Sequence, residues 1–509
     1  MRNGFHAASA RRFAARWSIS LSRCTVLMIA LVAAGQAAAQ SPSGPARVRV
    51  STPEGELIQT AGGGQVSPNT PIIPPPLPAP VGGGAGPMEM PPMDPGMMAG
   101  PGMMAGPGMV GPGQVPMFDP YGRPLPGTNP HPMFVPPVPD YFPCYWVTTE
   151  YFLWKIRSDR SPIPLLTTGA TATVGILGQP TTVPLAGDER FEHDAFSGFR
   201  ISVGAWMDPN YRIGIEGVGF TTERRQLSTF VASDPLGIPT FARPFIDATT
   251  QTQSSLPVSI PLERTGSAAV VNDSQSFGFE GNLLVNVFRG RPDCKWSLNF
   301  NMLGGFRYFN LTESLNIATN SNVFDGGFQN FDGFLIAGPL SLFTEDNFFV
   351  RNQFYGGQLG FQSTLRNGRW AFLLNGKLAL GVMHQEIENY GVSAISGLTT
   401  IPARLPGGIL VQSTNLGMFN QDSFSLIPEV QAGVGYYLTQ NIYVFAAYNF
   451  IYVTNVVRPG DQIDPLVNPA VVPTSPSYGT GGGPNRPSAL LAETDFWLQG
   501  INFGINIRF

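Results

Sequence analysis

Charge is scarce in this chain. Only 13% of its 509 residues are Asp, Glu, Lys or Arg, and histidine occurs four times. So little charge over such a length is out of keeping with a cytosolic enzyme. Cysteine is scarcer still, at three residues, Cys24, Cys144 and Cys294, too few for a disulfide framework or a four-thiolate metal site. Long hydrophobic runs are also missing. The longest, near Val26–Ala34, falls well short of the roughly 20 residues a membrane-crossing helix needs. Any membrane crossing in the remainder must therefore be made by strands. The sequence has no Gly-x-Ser-x-Gly elbow and no His-Glu-x-x-His helix. Gly62-Gly63-Gly64 is not followed by the Lys-Ser/Thr of a phosphate loop. His193-Asp194, and His384 beside Glu386, pair a histidine with a carboxylate, yet neither belongs to a recognisable catalytic motif. No catalytic residue, cofactor or metal site is assigned.

What the chain has instead is 60 glycines, 49 prolines and 11% aromatic residues, distributed very unevenly. Residues 1–39 have the form of a signal peptide. Arg2, Arg11, Arg12, Arg16 and Arg23 precede the short apolar core, and Ala37-Ala38-Ala39 offers a small-residue cleavage site. Removing this segment takes away five arginines and no acid. The formal net charge then moves from −4 to −9, with 25 basic residues facing 34 acidic ones. With no basic stripe, nucleic acid is not an expected partner.

Residues 40–143 are rich in Pro, Gly and Met. Pro74-Pro75-Pro76 favours extended polyproline II, and Met97-Met98-Ala99-Gly100-Pro101-Gly102 repeats at once as Met103–Gly108. Glycine and proline oppose regular structure here, so a disordered periplasmic tether is expected. Its methionine cluster (Met88, Met90 and Met93 among others) lacks any accompanying His or Cys, which leaves a linker, or an arm to the cell wall or a periplasmic protein, as the preferred readings.

From residue 144 to 509 the pattern changes to period-two alternation. The last segment shows it best. Trp497, Ile501, Phe503, Ile505, Ile507 and Phe509 fall on one face, and Gly500, Asn502, Gly504, Asn506 and Arg508 on the other. Ten such segments are predicted, at about 145–157, 196–207, 211–221, 274–288, 295–309, 347–362, 369–384, 424–437, 442–453 and 493–509. Connections alternate short and long, and Asn367-Gly368 is a strong hairpin pair. An even strand count with this rhythm predicts an all-β fold, a closed antiparallel transmembrane β-barrel of about ten strands with short periplasmic turns and long external loops. Outer-membrane lipid is then a partner, and both chain ends and the tether lie on the periplasmic side of the cell outer membrane.

The polar phases of these strands supply the candidate lumen-lining residues: Arg200, Arg212, Glu216, Glu280, Arg307, Lys377, Glu429, Gln431 and Arg508. They either line a path, where they set ion selectivity, or pair with one another to fill it. A mouth motif follows strand nine, where Arg458, Asp461 and Asp464 frame a Pro459-Gly460 turn. Cys144 and Cys294 fall on the same side in this topology, so a disulfide between them and two separate thiols are both compatible with it. Residues 314–346 hold several Phe for an external loop, which makes them a candidate plug.

Several of these segments also match a known pattern. Trp146-Val147-Thr148-Thr149-Glu150-Tyr151-Phe152-Leu153-Trp154 opens it, and Gly198–Asp208 with Tyr211–Gly217 continues it. Ile427-Pro428-Glu429-Val430, Tyr448-Asn449-Phe450-Ile451-Tyr452 and Asn455-Val456-Val457-Arg458-Pro459-Gly460-Asp461-Gln462-Ile463-Asp464 are its most specific marks. Over about residues 145–509 the chain resembles the planctomycete beta-barrel porin-7 family (BBP7) of outer-membrane proteins. The resemblance implies a cell-envelope porin, not an enzyme, that passes small solutes or ions passively. The alternative is a structural or surface-binding barrel with a plugged lumen. The tether lies outside the resemblance.

Overall fold

The computed structural model describes residues 145–187, 190–291, 295–397 and 403–509, together with the backbone of 47–52 and 55–60. The signal segment, nearly all of the tether, Cys144 and Cys294 lie outside the described residues, and with them the disulfide question. Among the described residues no helix is long and apolar enough to cross a membrane.

Ten long strands run in a ring: β1 Tyr145–Ile156, β2 Phe196–Trp206, β3 Ile213–Thr222, β4 Arg264–Arg289, β5 Ser297–Val323, β6 Leu340–Asn367, β7 Trp370–Ser396, β8 Gly417–Tyr437, β9 Ile442–Val457 and β10 Glu493–Arg508. Each pairs antiparallel with its sequence neighbour, and β10 pairs with β1. The polar breaks predicted from sequence do form short turns at residues 207–212, 368–369 and 438–441, and Arg289 and Ser297 bound a connection of similar length.

The expected closed barrel is nevertheless corrected. The sheet containing this ring has fourteen strands and does not close on itself as a whole. Above Phe277 and Thr221, β4 parts from β3 and takes Arg225–Ala232 as its neighbour. That strand continues in parallel to Arg47–Thr52, and Gly55–Thr60 ends the path. Ala403–Pro406 adds a further branch on β7. The cause is strand length. β4 to β7 are 26 to 28 residues long, whereas about 9–11 suffice to cross a bilayer. The surplus rises beyond the ring and recruits other neighbours.

The same surplus replaces much of the expected long loops. Residues 314–323 and 340–346 continue the β5–β6 ladder, and the Phe-rich stretch between them forms a hairpin of Phe328–Phe331 and Phe334–Ala337. It is therefore not a loose plug. The outward positions of these segments carry mostly Ser, Thr and Asn (Ser314, Asn316, Asn320, Asn322), while the apolar residues Leu315, Ile317 and Leu342 turn inward, so a criterion that seeks an apolar outer face ends the strands too early.

A second, five-stranded sheet is built from Leu166–Thr168, Val183–Ala186, Phe241–Asp247, Thr252–Ser259 and Leu466–Val467. Leu166, Phe241, Phe245 and Val467 pack in one buried cluster with Leu315, Ile317 and Phe348 of the extended strands. The long-connection end thus carries a cap with its own apolar core. Arg243 and Asp346 form a fully buried ion pair within it at 2.7 Å. Asp346 also accepts the backbone N–H groups of Ile409 and Val411, at 3.1 and 2.8 Å, which satisfies a charge that would otherwise be costly to bury.

Around the ring the alternation reads as two surfaces. Ile501, Phe503, Leu283 and Leu359 are exposed, at 49%, 52%, 49% and 69%, while Asn502, Glu280 and Arg307 are almost fully buried. Apolar outside and polar inside inverts a soluble protein. It is the arrangement lipid demands, since every backbone group in hydrocarbon must also find a partner in the ladder.

Candidate functional site

The inward side chains of the ring form three layers. The central one is ionic. Arg200 Nη2 donates to Glu429 Oε1 at 2.9 Å, and Arg307 Nη2 lies 2.8 Å from Glu429 Oε2. Lys377 Nζ donates to Glu280 Oε2 at 2.7 Å, and Arg307 Nη1 lies 3.9 Å from Glu280 Oε1. Glu150 accepts from Asn502 Nδ2 at 2.6 Å and from Gln431 Nε2 at 3.1 Å. Trp154 Nε1 in turn donates to Asn502 Oδ1 at 2.7 Å. Three cations therefore face three carboxylates, all of them largely buried. Arg307 approaches Glu429 at an angle too poor for a hydrogen bond, so its N–H groups and Glu429 Oε2 are left without one. The contact is one of charges rather than of a directed bond. Glu216 sits one level nearer the short turns and accepts from Gln362 Nε2 at 3.0 Å.

Above the ionic layer the interior turns apolar. Phe152, Trp154, Phe220, Phe309, Phe354 and Phe496 meet in one buried cluster with smaller aliphatic neighbours. Arg200 joins the two layers, its guanidinium 5.4 Å from the Trp154 ring and 5.7 Å from that of Phe220. Close packing is helped by missing side chains. A Cβ on Gly198 would fall 2.2 Å from the Phe152 ring, so only glycine lets that ring lie against the wall.

The third layer belongs to the mouth motif. Arg458 Nε and Nη2 donate to the two oxygens of Glu313 at 2.8 and 2.6 Å, a bidentate pair. Its Nη1 donates to the Arg157 carbonyl at 2.8 Å. Asp159 accepts the Gly460 N–H at 3.1 Å and lies 4.0 Å from Arg458. Burial raises the Asp159 carboxyl to about 6, against the opposing pull of Arg458 and with support from Glu313. Gly460 is required by contact, since an added Cβ would lie 1.9 Å from the Arg160 carbonyl oxygen. Asp464 accepts from Arg486 Nη1 and from the Ser488 N–H, both at 2.7 Å. Asp461 lies only 3.6 Å from the exposed Arg160.

Of the nine candidate lumen residues, the structure brings Arg200, Glu280, Arg307, Lys377, Glu429 and Gln431 into the central layer, with Glu216 just below. Arg212 instead sits exposed in a short turn. Arg508 lies half-buried at that same end, donating to Asn506 Oδ1 at 3.0 Å. Sequence reasoning missed Glu150, Asp159 and Glu313. Glu150 has a legible signal, because it alternates with the exposed Tyr151 and Leu153. It was hidden by strand-mates Phe152 and Trp154, which make the inward face look apolar. The two histidines are each tied to one neighbour, His193 to Asn272 at 2.8 Å and His384 to Asp422 at 2.6 Å. Among the described residues no group of His, Cys, Asp or Glu could hold a metal ion.

A family model described as "Putative beta barrel porin-7 (BBP7)" matches residues 146–509. No curated protein sequence matches the chain. Among solved structures, the outer membrane protease OmpT of Escherichia coli aligns with 9% identity and a TM-score of 0.33, covering 73% of this chain and 98% of that one. A FadL homologue of Pseudomonas aeruginosa aligns with 8% identity and a TM-score of 0.18, over 71% and 89%. The outer-membrane OmpT of Vibrio cholerae gives 8% and 0.11, over 72% and 97%. At these values the alignments transfer neither a site nor an activity.

Proposed function

Because the chain belongs to the BBP7 family of outer-membrane porins, we propose that its ring of strands serves passive transport of ions or small polar solutes across the outer membrane, through a narrow and normally filled interior. The family is one of porins and not of enzymes. The observation that carries the proposal is the central layer. Arg200, Arg307, Lys377, Glu280 and Glu429 converge from five strands at the axis of the ring. Charges of both signs at a constriction are the means by which such a path sorts ions.

The packed aromatic layer supports a restriction on that function. With Phe152, Phe309 and Phe354 fully buried, passage requires these rings to move aside, so conductance is small or intermittent. The same packing favours the second reading, a structural ring of strands without transport. Single-channel recording of the folded mature protein in a planar bilayer separates them. Discrete steps that change ion selectivity in Glu429→Gln support transport. Silence from verified folded protein, persisting when Phe309 and Phe354 are both replaced by Ala, refutes it.

Within the outer membrane, the proposed orientation places the short turns and the C-terminal end of the last strand in the periplasm, whereas the pairing of Arg47–Thr52 with Arg225–Ala232 at the capped end speaks against a periplasmic start of the tether. The brevity of those turns and the capped build of the opposite end support this orientation. Protease accessibility of tags placed at residue 368 and at residue 480 in intact cells tests the orientation. A tag at 368 cleaved from outside would reverse it.

A further inference from the structure

The hairpin of Phe328–Phe331 and Phe334–Ala337 uses only one of its faces. Phe331 is buried against Leu340, Leu342 and Ile395 at the tips of β6 and β7, and Ile336 packs on the same cluster. On the opposite face of the pleat, Phe328 and Leu335 are 54% and 64% exposed, and Phe334 beside the turn is 69% exposed. Neither strand carries a charged residue. This apolar surface lies at the long-connection end, beyond the ring whose outer face meets lipid, so the bilayer does not account for it.

The turn fixes which backbone groups point outward. Asp332 and Gly333 both have positive φ, 53° and 76°, as in the two-residue type I′ turn. Phe331 pairs with Phe334 across it, and Gln329 with Ile336. These are the hydrogen-bonded pairs, so the residues between them direct their N–H and C=O groups away from the hairpin. On one edge such groups are engaged. The Phe328 carbonyl accepts from Arg264 Nη2 at 2.9 Å, and the Asn330 carbonyl from Gln329 Nε2 at 2.8 Å. On the other edge, the backbone groups of Leu335 and Ala337 meet no partner among the described residues. Proteins commonly blunt an open edge with proline or charge. The edge strands Val183–Ala186, Thr252–Ser259 and Ala403–Pro406 each carry a proline, whereas Phe334–Ala337 has neither device.

We propose that this edge is a self-association site, at which Phe334–Ala337 pairs antiparallel with the same strand of a second copy and joins the two hairpins into one sheet. A single register uses both outward-facing residues. It sets Leu335 opposite the partner subunit's Ala337, each such pair exchanging both of its N–H···O=C bonds, with the twofold axis passing at Ile336. The edge is thus complementary to itself, as a twofold interface must be. A second copy is also the occupant that the membrane supplies. Copies held in one outer membrane share a plane and an orientation, so their free edges stand at the same height and meet at raised effective concentration. The pairing does not depend on transport, because a ring with a sealed interior would pair in the same way.

The test is subunit counting by single-molecule photobleaching of the labelled full mature protein in lipid bilayers. The wild type should bleach mainly in two steps. L335P removes an outward N–H that the hairpin's own ladder does not use, so it should bleach in one step with an unchanged unfolding midpoint. L335K keeps the N–H but brings a charge to the edge from both copies, and it should do the same. L236K alters an apolar residue, 55% exposed, outside the hairpin, and it should remain two-step. With Cys144 and Cys294 replaced by Ser, oxidation should join L335C to A337C when the two variants are mixed, and join neither to itself at a comparable rate. Bonded partners stand about 5.5 Å apart, within disulfide reach. One-step bleaching of the wild type would overturn the proposal, and so would two steps that persist in either folded variant of Leu335. A one-step wild type whose spin label at residue 335 is shielded by lipid would overturn it in favour of a lipid contact.

Discussion

Replacing Glu429 by Gln tests whether the central layer is an interlocked network. Glu429 is 3% exposed and faces two guanidinium groups, Arg200 at 2.9 Å and Arg307 at 2.8 Å. The substitution keeps volume and removes one charge, turning a layer of three cations and three carboxylates into one with an excess cation. Arg200 keeps no other ion pair among the described residues, and Arg307 keeps only the longer 3.9 Å approach to Glu280. Breaking one partner out of a buried pair costs about 3–5 kcal/mol, because the remaining charge stays buried. Removing both partners together is much cheaper, so the double variant R200M/E429M should lose less stability than the two single losses added. The assay is urea unfolding of the protein in lipid vesicles, followed by tryptophan fluorescence and arranged as a double-mutant cycle. A loss below about 1 kcal/mol in E429Q, or a coupling between Arg200 and Glu429 indistinguishable from zero, would refute the reasoning.

Three further outcomes follow from the neighbouring layers. Phe309→Ala with Phe354→Ala empties the apolar layer, so bilayer recordings should show larger or more frequent conductance steps, with a stability loss of about 3–5 kcal/mol for each ring removed. Gly460→Ala forces a methyl group against the Arg160 carbonyl; hydrogen exchange in residues 458–465 should quicken markedly, whereas Gly479→Ala, with no atom within 4 Å of the added Cβ, should perturb only its own loop. The Asp159 carboxyl is raised in the folded protein, so the protonated form is the favoured one there. Its contribution to the stability of the mouth layer is full below about pH 4 and is lost as the pH rises through about 6. Asp159→Asn should flatten that dependence in a pH series of unfolding midpoints, and an unchanged series would remove Asp159 as its source.

Which face of each strand meets lipid was decided by the sequence alone. Alternation is a local property of an extended chain, so Ile501 and Phe503 are outside and Asn502 is inside whatever their neighbours are. The short turns were equally legible, because Asp208-Pro209-Asn210 and Asn367-Gly368 carry their own turn chemistry. The limit of the same signal explains the errors. Large apolar residues mark only the part of a strand that touches hydrocarbon, so β4 to β7 were read at little more than half their length and the cap sheet was read as loop. Pairing is a different kind of fact. Arg200 meets Glu429 across 229 positions, and Arg458 meets Glu313 across 145. No local pattern encodes such distances; strand order and register do. Tertiary structure alone decided that the charged side chains neutralise one another beneath an aromatic layer instead of lining open water. It also decided that the sheet branches where its longest strands outrun the ring. Arg212 and Arg508 share their residue type with the interior arginines, yet they fall at the rim because position along the strand, and not chemistry, sets depth in the bilayer.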